Sequence, residues 1–322
     1  MDNTRISYVD ASWSPVRGCS PAGVGCAHCF AAALASRFNS GPFAGLASGG
    51  RWTGTPRFVP EQLEVPRRWK RPRRILTPTM GDVFHPAITT DQIVSIFEVM
   101  AACERHTFLS LTKRPERMEP VLYGAAGNWY FGGGDYLPSV WLGTSVSTQA
   151  DVDRAVLALL STGIGWHYWL SVEPLLERVD IEWALSKRGS CNGPTDEADP
   201  DCERCRHGDN TISFVVVGGE SGPHARPCEV AWIRDVVRQC RAAGVPVWVK
   251  QLGAVPIISD PPRVPPSSSW PEAEWPDGTR FGSGLGCPSE LTGRRVFLSG
   301  AAHDMDEWPE DLRVREMPEG WR

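Results

Sequence analysis

The 322-residue chain has no apolar run approaching the ~20 residues needed to span a bilayer, which argues against a membrane-spanning helix. Its opening residues, Met1-Asp2-Asn3-Thr4-Arg5, are not followed by an apolar stretch, so no export signal is read and a soluble, cytoplasmic protein is expected. Positive charge is not in surplus. The formal net charge is −5, so the molecule as a whole is not a general binder of polyanions, although a local patch still could be. Nor does the chain show the cysteine pattern of a small secreted domain stapled by disulfides. It is long, and its 10 cysteines include two Cys-x-x-Cys pairs, which in a reducing compartment favours metal. Cys103, Cys228, Cys240 and Cys287 are isolated in sequence and read as core or incidental thiols.

What the chain does have is a cysteine loop near its start, Cys19-Ser-Pro-Ala-Gly-Val-Gly-Cys26-Ala-His-Cys29-Phe30. Glycines and a proline allow the first, six-residue gap to wrap around a centre. Three thiolates would leave one iron of a [4Fe-4S] cluster open to substrate. Taken alone, the loop also permits zinc, with His28 as a fourth ligand, or a redox dithiol.

A rhythm of strands and helices follows. Short apolar runs at 74–79, 107–111, 139–143, 167–171, 211–217 and 245–249 read as strands, joined by a short extended segment before the cysteines. The intervening segments carry helical spacing, as in Ile93, Ile96, Phe97 and Met100, in a helix whose cap is expected near Thr90. The alanine-rich segment 27–38 reads as another helix. The expected fold is α/β, a partial or complete TIM-like (β/α) barrel with parallel strands. It would occupy residues 1–253, with a cysteine-containing insertion at 187–210. Residues 254–322 are Pro-rich and then acidic, and are expected to form an irregular cap. Most strands end in polar or ionisable residues: Asp82, Lys113, Ser145, Glu173, Glu220 and Lys250. In a barrel such groups gather at one rim.

Two further stretches attract attention. In the insertion, Cys191, Cys202, Cys205 and His207 have the composition of a structural zinc site, and a segment this polar cannot bury a core of its own. Residues 57–74 carry seven Lys/Arg against two Glu, centred on Arg67-Arg68-Trp69-Lys70-Arg71. They read as a solvated connection or as a phosphate-contacting patch with a stacking tryptophan. The acidic tail could neutralise that patch.

Cys19, Cys26, Cys29 and the aromatic Phe30 resemble the cluster loop of the radical S-adenosylmethionine (SAM) superfamily. Trp13-Ser-Pro-Val-Arg-Gly-Cys19, Met80-Gly-Asp-Val-Phe84, Leu111-Thr-Lys-Arg-Pro-Glu-Arg-Met118, Trp141-Leu-Gly-Thr-Ser145, Ser171-Val-Glu-Pro-Leu175, Val217-Gly-Gly-Glu-Ser-Gly222 and Val249-Lys-Gln251 are further motifs running through most of residues 5–253. More closely, they resemble a phage-associated three-cysteine-motif family of uncharacterised function. The first gap departs from that superfamily's usual three residues. The resemblance implies that Cys19, Cys26 and Cys29 hold a [4Fe-4S] cluster and that SAM binds its open iron. Asp82, after the second strand, would meet the SAM amine. Ser145, Glu173, Gly218 and Gly219 would lie along the cofactor. Lys113, Glu220, Lys250 and Gln251 would act toward substrate. The implied activity is hydrogen abstraction by a 5′-deoxyadenosyl radical, modifying or repairing a nucleic acid or nucleotide base, with an electron donor as partner. The alternatives are a radical-SAM enzyme acting on a peptide or small metabolite, and a non-catalytic zinc-stabilised nucleic-acid-binding protein.

Overall fold

The computed structural model describes residues 4, 6–38, 40–123, 136–163, 165–186, 210–222, 224–258 and 305–321, with the backbone of short strands at 273–274, 280–281 and 294–295. Seven strands form one parallel sheet: β1 (Ala11–Ser12), β2 (Arg74–Thr77), β3 (Thr107–Thr112), β4 (Val140–Val146), β5 (His167–Val172), β6 (Ile212–Gly218) and β7 (Val247–Gln251). Their order in space is their order in sequence. Each strand pairs with the next in register, as in Leu109 opposite Trp141 and Leu142 opposite Tyr168.

Successive side chains on a strand point to opposite faces. Leu76, Leu109, Trp141, Trp169, Phe214, Val216 and Trp248 gather with Tyr8 in one buried cluster. The alternate residues, including Ile75, Phe108, Leu142, Leu170, Val215 and Val249, pack with the helices in another. Both faces are buried, which is why the strands read as nearly continuous apolar runs. The sheet curls around the first cluster. Tyr8, just before β1, lies 6.5 Å from the ring of Trp248 in β7, and Trp248 Nε1 donates to Ser7 Oγ at 3.1 Å. β1 and β7 do not pair as strands, so of the two expected forms the partial barrel is the one observed. Inside, Gly143 leaves room for Trp169: a Cβ there would lie 2.2 Å from Trp169 Nε1.

The helices cover the outside. α1 (Phe30–Ala35) follows the cysteine loop, and α2 (Thr90–Ala102) links β2 to β3. Thr89, not Thr90, caps α2. Its side chain accepts from Gln92 N while Gln92 Oε1 accepts from Thr89 N, so the two close a capping box. After β4 comes α3, a continuous helix of Gln149–Asp151, a π turn at Val152–Val156 and Leu157–Leu160. After β6 comes α4 (Val230–Ala242), which buries Ile233, Val236, Val237 and Cys240 against the sheet. Among the described residues, no helix is long and apolar enough to cross a membrane.

The tail behaves differently from the sequence-based expectation. Val249 N donates to Val314 O and Glu316 N to Val247 O, so the segment around Arg315 runs antiparallel along the open edge of β7. An unpaired parallel edge would expose a row of backbone donors and acceptors. Two of its acids are engaged away from the 57–74 stretch: Asp311 pairs with Arg234 and Glu316 with Arg241, both on α4. That stretch needs a second correction. Trp69 is buried, 6.1 Å from His106 and beneath the Arg73 guanidinium, so its ring offers no stacking surface.

Candidate active site over the half-barrel mouth

The cysteine loop is carried to the C-terminal ends of the strands by the segment after β1. Trp13 N donates to Leu76 O and Gly18 N to Met80 O, which extends the β1–β2 pairing past the end of β2. The approach is close enough to require glycine at position 81, where a Cβ would sit 2.5 Å from Val16 O. The loop then crosses the mouth, turns at Val24–Cys26 and ends at Cys29, immediately before α1.

Side chains from successive strand ends hold it there. His85, beyond β2, bonds Ser20 Oγ at 2.8 Å. Arg114, beyond β3, donates to Ser20 O at 2.8 Å and to Cys19 Sγ at 3.6 Å. Gly25 lies directly over Ser147, beyond β4, and a Cβ would fall 2.2 Å from its Oγ and 3.4 Å from Lys113 Nζ. Arg226, beyond β6, donates to Val24 O at 2.9 Å, and Glu220 Oε2 bonds His28 Nδ1 at 3.0 Å.

Most of the residues read from strand ends meet in three groups. Asp82 is buried and its carboxylate is fully engaged. It accepts from Thr112 Oγ1 at 2.6 Å, from Phe84 N and from Arg114 Nη1 at 2.8 Å. Lys113, Ser145, Glu173, Lys250 and Gln251 form the second group. Lys113 Nζ donates to Ser145 Oγ at 2.6 Å, and Ser145 Oγ donates to Glu173 O. Lys250 Nζ lies 2.8 and 2.9 Å from the two Glu173 oxygens, and Gln251 Nε2 donates to Glu173 Oε1 and Gly219 O. The third group is Glu220 with His28 and Arg226. Burial pushes the Glu220 carboxyl up, but the Arg226 bonds and His28 outweigh it and hold it below the ordinary carboxylate range. Gly218 and Gly219 serve packing: a Cβ on Gly219 would lie 2.4 Å from Leu252 O, just past β7.

The three thiols are half-buried and unbridged. Burial and the nearby Asp82 carboxylate push Cys19 up to about 12, and the Arg114 guanidinium only partly opposes them. Ala22 N points at Cys26 Sγ at 3.5 Å. Cys29 packs against Ala31, Ala35 and Met80. Among the described residues, no three His, Cys, Asp or Glu side chains are gathered closely enough to hold a metal ion. The donor chemistry nonetheless fits an iron–sulfur centre: three sulfurs on one loop, with a guanidinium N–H aimed at one and a backbone N–H at another. The rim also has two orphaned buried polar atoms, Ser147 Oγ and Gln251 Oε1, of the kind a bound group would satisfy. Cys191, Cys202, Cys205 and His207 lie outside the described residues.

A family model matches residues 3–269, most of the chain and all seven strands. The chain belongs to the DUF5131 family, described as a protein of unknown function. No curated protein and no solved structure matches it. Within this DUF5131 chain, sequence reasoning missed the residues that fasten the loop: Ser20, His85, Arg114, Ser147 and Arg226. Arg114 had a usable signal, since it sits next to Lys113 at a strand end. Arg226 had none, because its partner Val24 is 202 residues away. A groove of about 510 Å³ lined by Arg234, Arg238, Arg241 and Asp311 lies on α4 and the tail, on the outside of the half-barrel.

Proposed function

We propose that this DUF5131 protein is a [4Fe-4S]-dependent radical SAM enzyme working in the reducing cytosol. The observation that carries the proposal is the placement of the three-cysteine loop across the mouth of a parallel half-barrel, fastened to four strand ends whose polar groups face it. Cys19, Cys26 and Cys29 would hold the cluster, and Cys29 would leave its contact with Met80 to do so. When bound, the cluster and SAM supply a 5′-deoxyadenosyl radical that abstracts hydrogen from substrate.

The chain's own residues prepare the site. Asp82 is a positioning residue that holds Arg114 against the loop. Arg114 offers its guanidinium to the Cys19 sulfur and so favours the thiolate that a metal requires. Ser145, Ser147, Glu173 and the Gly218–Gly219 backbone line the cofactor side. Lys113, Lys250 and Gln251 face substrate, and Glu220 anchors the loop through His28 and Arg226.

For substrate we propose a nucleotide or nucleic-acid base, because Lys113, Arg114, Arg226 and Lys250 ring the mouth and suit a phosphate-bearing molecule. The Arg67–Arg74 stretch does not contribute to this. It enters β2 from the N-terminal end of the sheet, and the four residues of β2 alone separate it from the rim by roughly 13 Å. The decisive experiment is anaerobic reconstitution with iron and sulfide, followed by SAM and dithionite. The expected product is 5′-deoxyadenosine, abolished by Cys26→Ala. Turnover surviving in that variant would refute the cluster assignment.

A further inference from the structure

Helix α1 is amphipathic the wrong way round. It buries Ala31, Ala32 and Ala35 and turns Phe30 and Leu34 to solvent, whereas a surface helix ordinarily buries its large apolar side chains. Among the described residues, the exposed large apolar side chains are Val24 (56%), Phe30 (55%), Phe38 (48%), Tyr136 (39%) and Leu34 (36%). Four of these five fall within 15 residues of one another, on the cysteine loop, α1 and the turn that follows it.

The charge around them is one-sided. From Ala11 to Pro60 the sequence contains no Asp, Glu or Lys, only Arg17, Arg37, Arg51 and Arg57, in a chain of net charge −5. Arg37, Arg51 and Arg57 are exposed. Arg17 and Arg57 sit directly opposite each other where Val16–Arg17 pairs with Arg57–Phe58. Two like charges placed so are unfavourable unless something neutralises them. The Arg17 guanidinium lies 5.4 Å over the ring of Phe43, which in turn lies 5.9 Å from Phe38, so the basic and apolar groups form one surface. Among the described residues, Glu220 on His28 and Asp151 under Gly23 reach it from beneath, and Glu61 acts on Arg17 from the edge, leaving Arg37 and Arg51 as its outlying charges.

We propose that this face, centred on Phe30, Leu34 and Phe38 and edged by Arg17, Arg37, Arg51 and Arg57, docks a small acidic electron-carrier protein. An apolar centre with a charged rim is how a protein partner is met, and the rim selects an acidic one. Phe30 and Phe38 are rings of the kind that also stack bases, so single-stranded DNA is the competing occupant in the test; the aliphatic Val24 and Leu34 beside them and the absence of lysine favour a protein. The choice of an electron carrier as the acidic partner rests on the cluster proposal, since the face adjoins Cys26 and Cys29. The docking itself rests only on the surface.

The test is binding, not turnover. Labelled, oxidised flavodoxin and an acidic [2Fe-2S] ferredoxin are titrated with the full chain by fluorescence anisotropy. Single-stranded DNA is titrated in parallel, and iron is assayed on the same preparation. Saturable carrier binding is expected, weakening roughly 10-fold between 50 and 300 mM salt and roughly 10-fold in Arg37→Glu/Arg51→Glu. It should be lost in Leu34→Ser/Phe38→Ser and unchanged in Arg68→Glu/Lys70→Glu at the far end of the half-barrel. Carrier binding by an iron-free chain would leave the docking face standing and remove the cluster. Iron without carrier binding would do the reverse. Three results would overturn the proposal: DNA binding lost in Arg37→Glu/Arg51→Glu while carriers fail to bind, self-association lost in Leu34→Ser/Phe38→Ser, or a large fall in Tm in that variant, which would mean the chain itself covers the face.

Discussion

The inner face of the half-barrel has two ends built from the same strands. At the N-terminal end it carries Trp141, Trp169, Phe214 and Trp248, joined by Tyr8 and, from the tail, Trp321, whose ring lies 4.8 Å from Trp141 and 4.9 Å from Phe214. A few residues further along, the same inward positions carry Ser145 after Trp141, Glu173 after Trp169, Gly218 after Phe214 and Lys250 after Trp248. Aromatic rings fill space and gain from leaving water. Half-buried ions gain little net stability over an apolar filling of the same volume. A chain selected for stability alone would continue the aromatic plug upward. The sequence instead stops it three to five residues short of the strand ends, and the cysteine loop closes over the polar end.

That contrast can be broken by mutation. Trp169→Ala should have the largest effect, about 3–5 kcal/mol of lost stability by urea denaturation. A loss below about 1 kcal/mol would mean the lower interior is not packed as a core. Gly143→Ala should follow at about 1–3 kcal/mol, because the added methyl meets the Trp169 indole. At the other end, Glu173→Gln with Lys250→Met removes both halves of the rim ion pair and should destabilise by no more than about 1 kcal/mol. The same variant should form no 5′-deoxyadenosine, and full turnover in it would place the chemistry elsewhere.

The smallest effect concerns pH. Burial lowers the pKa of His106 and His167, so the fold favours the neutral imidazole at both. Near pH 6.5 and below, the unfolded chain binds more protons than the folded one, so stability rises with pH. It should fall as pH drops from about 6.5 toward the lowered folded values. His167→Phe, which keeps a ring stacked on Trp141, should flatten that fall in a Tm series. An unchanged slope would show that His167 does not titrate differently on folding.

The strand order was legible in the sequence because β/α alternation leaves few topologies, and runs such as Ile212–Gly218 are apolar on both faces. The rim was legible for a related reason: most strands are followed closely by a residue that cannot be buried without a partner. The fastenings of the loop were not, because they join residues 65 to 202 positions apart and follow only from the curl of the sheet. Trp69 misled because charged neighbours say nothing about where a ring points, and its ring goes inward against His106. The tail misled because an acidic composition does not reveal that its backbone closes the edge of β7.

The most direct measurement is the metal content and spectrum of the anaerobically reconstituted chain beside Cys26→Ala. The cluster proposal predicts about four irons and four sulfides per chain with a broad thiolate-to-iron absorption near ~400 nm, lost in the variant while its Tm holds. A colourless wild-type chain with less than about one iron and three titratable thiols at Cys19, Cys26 and Cys29 would contradict it.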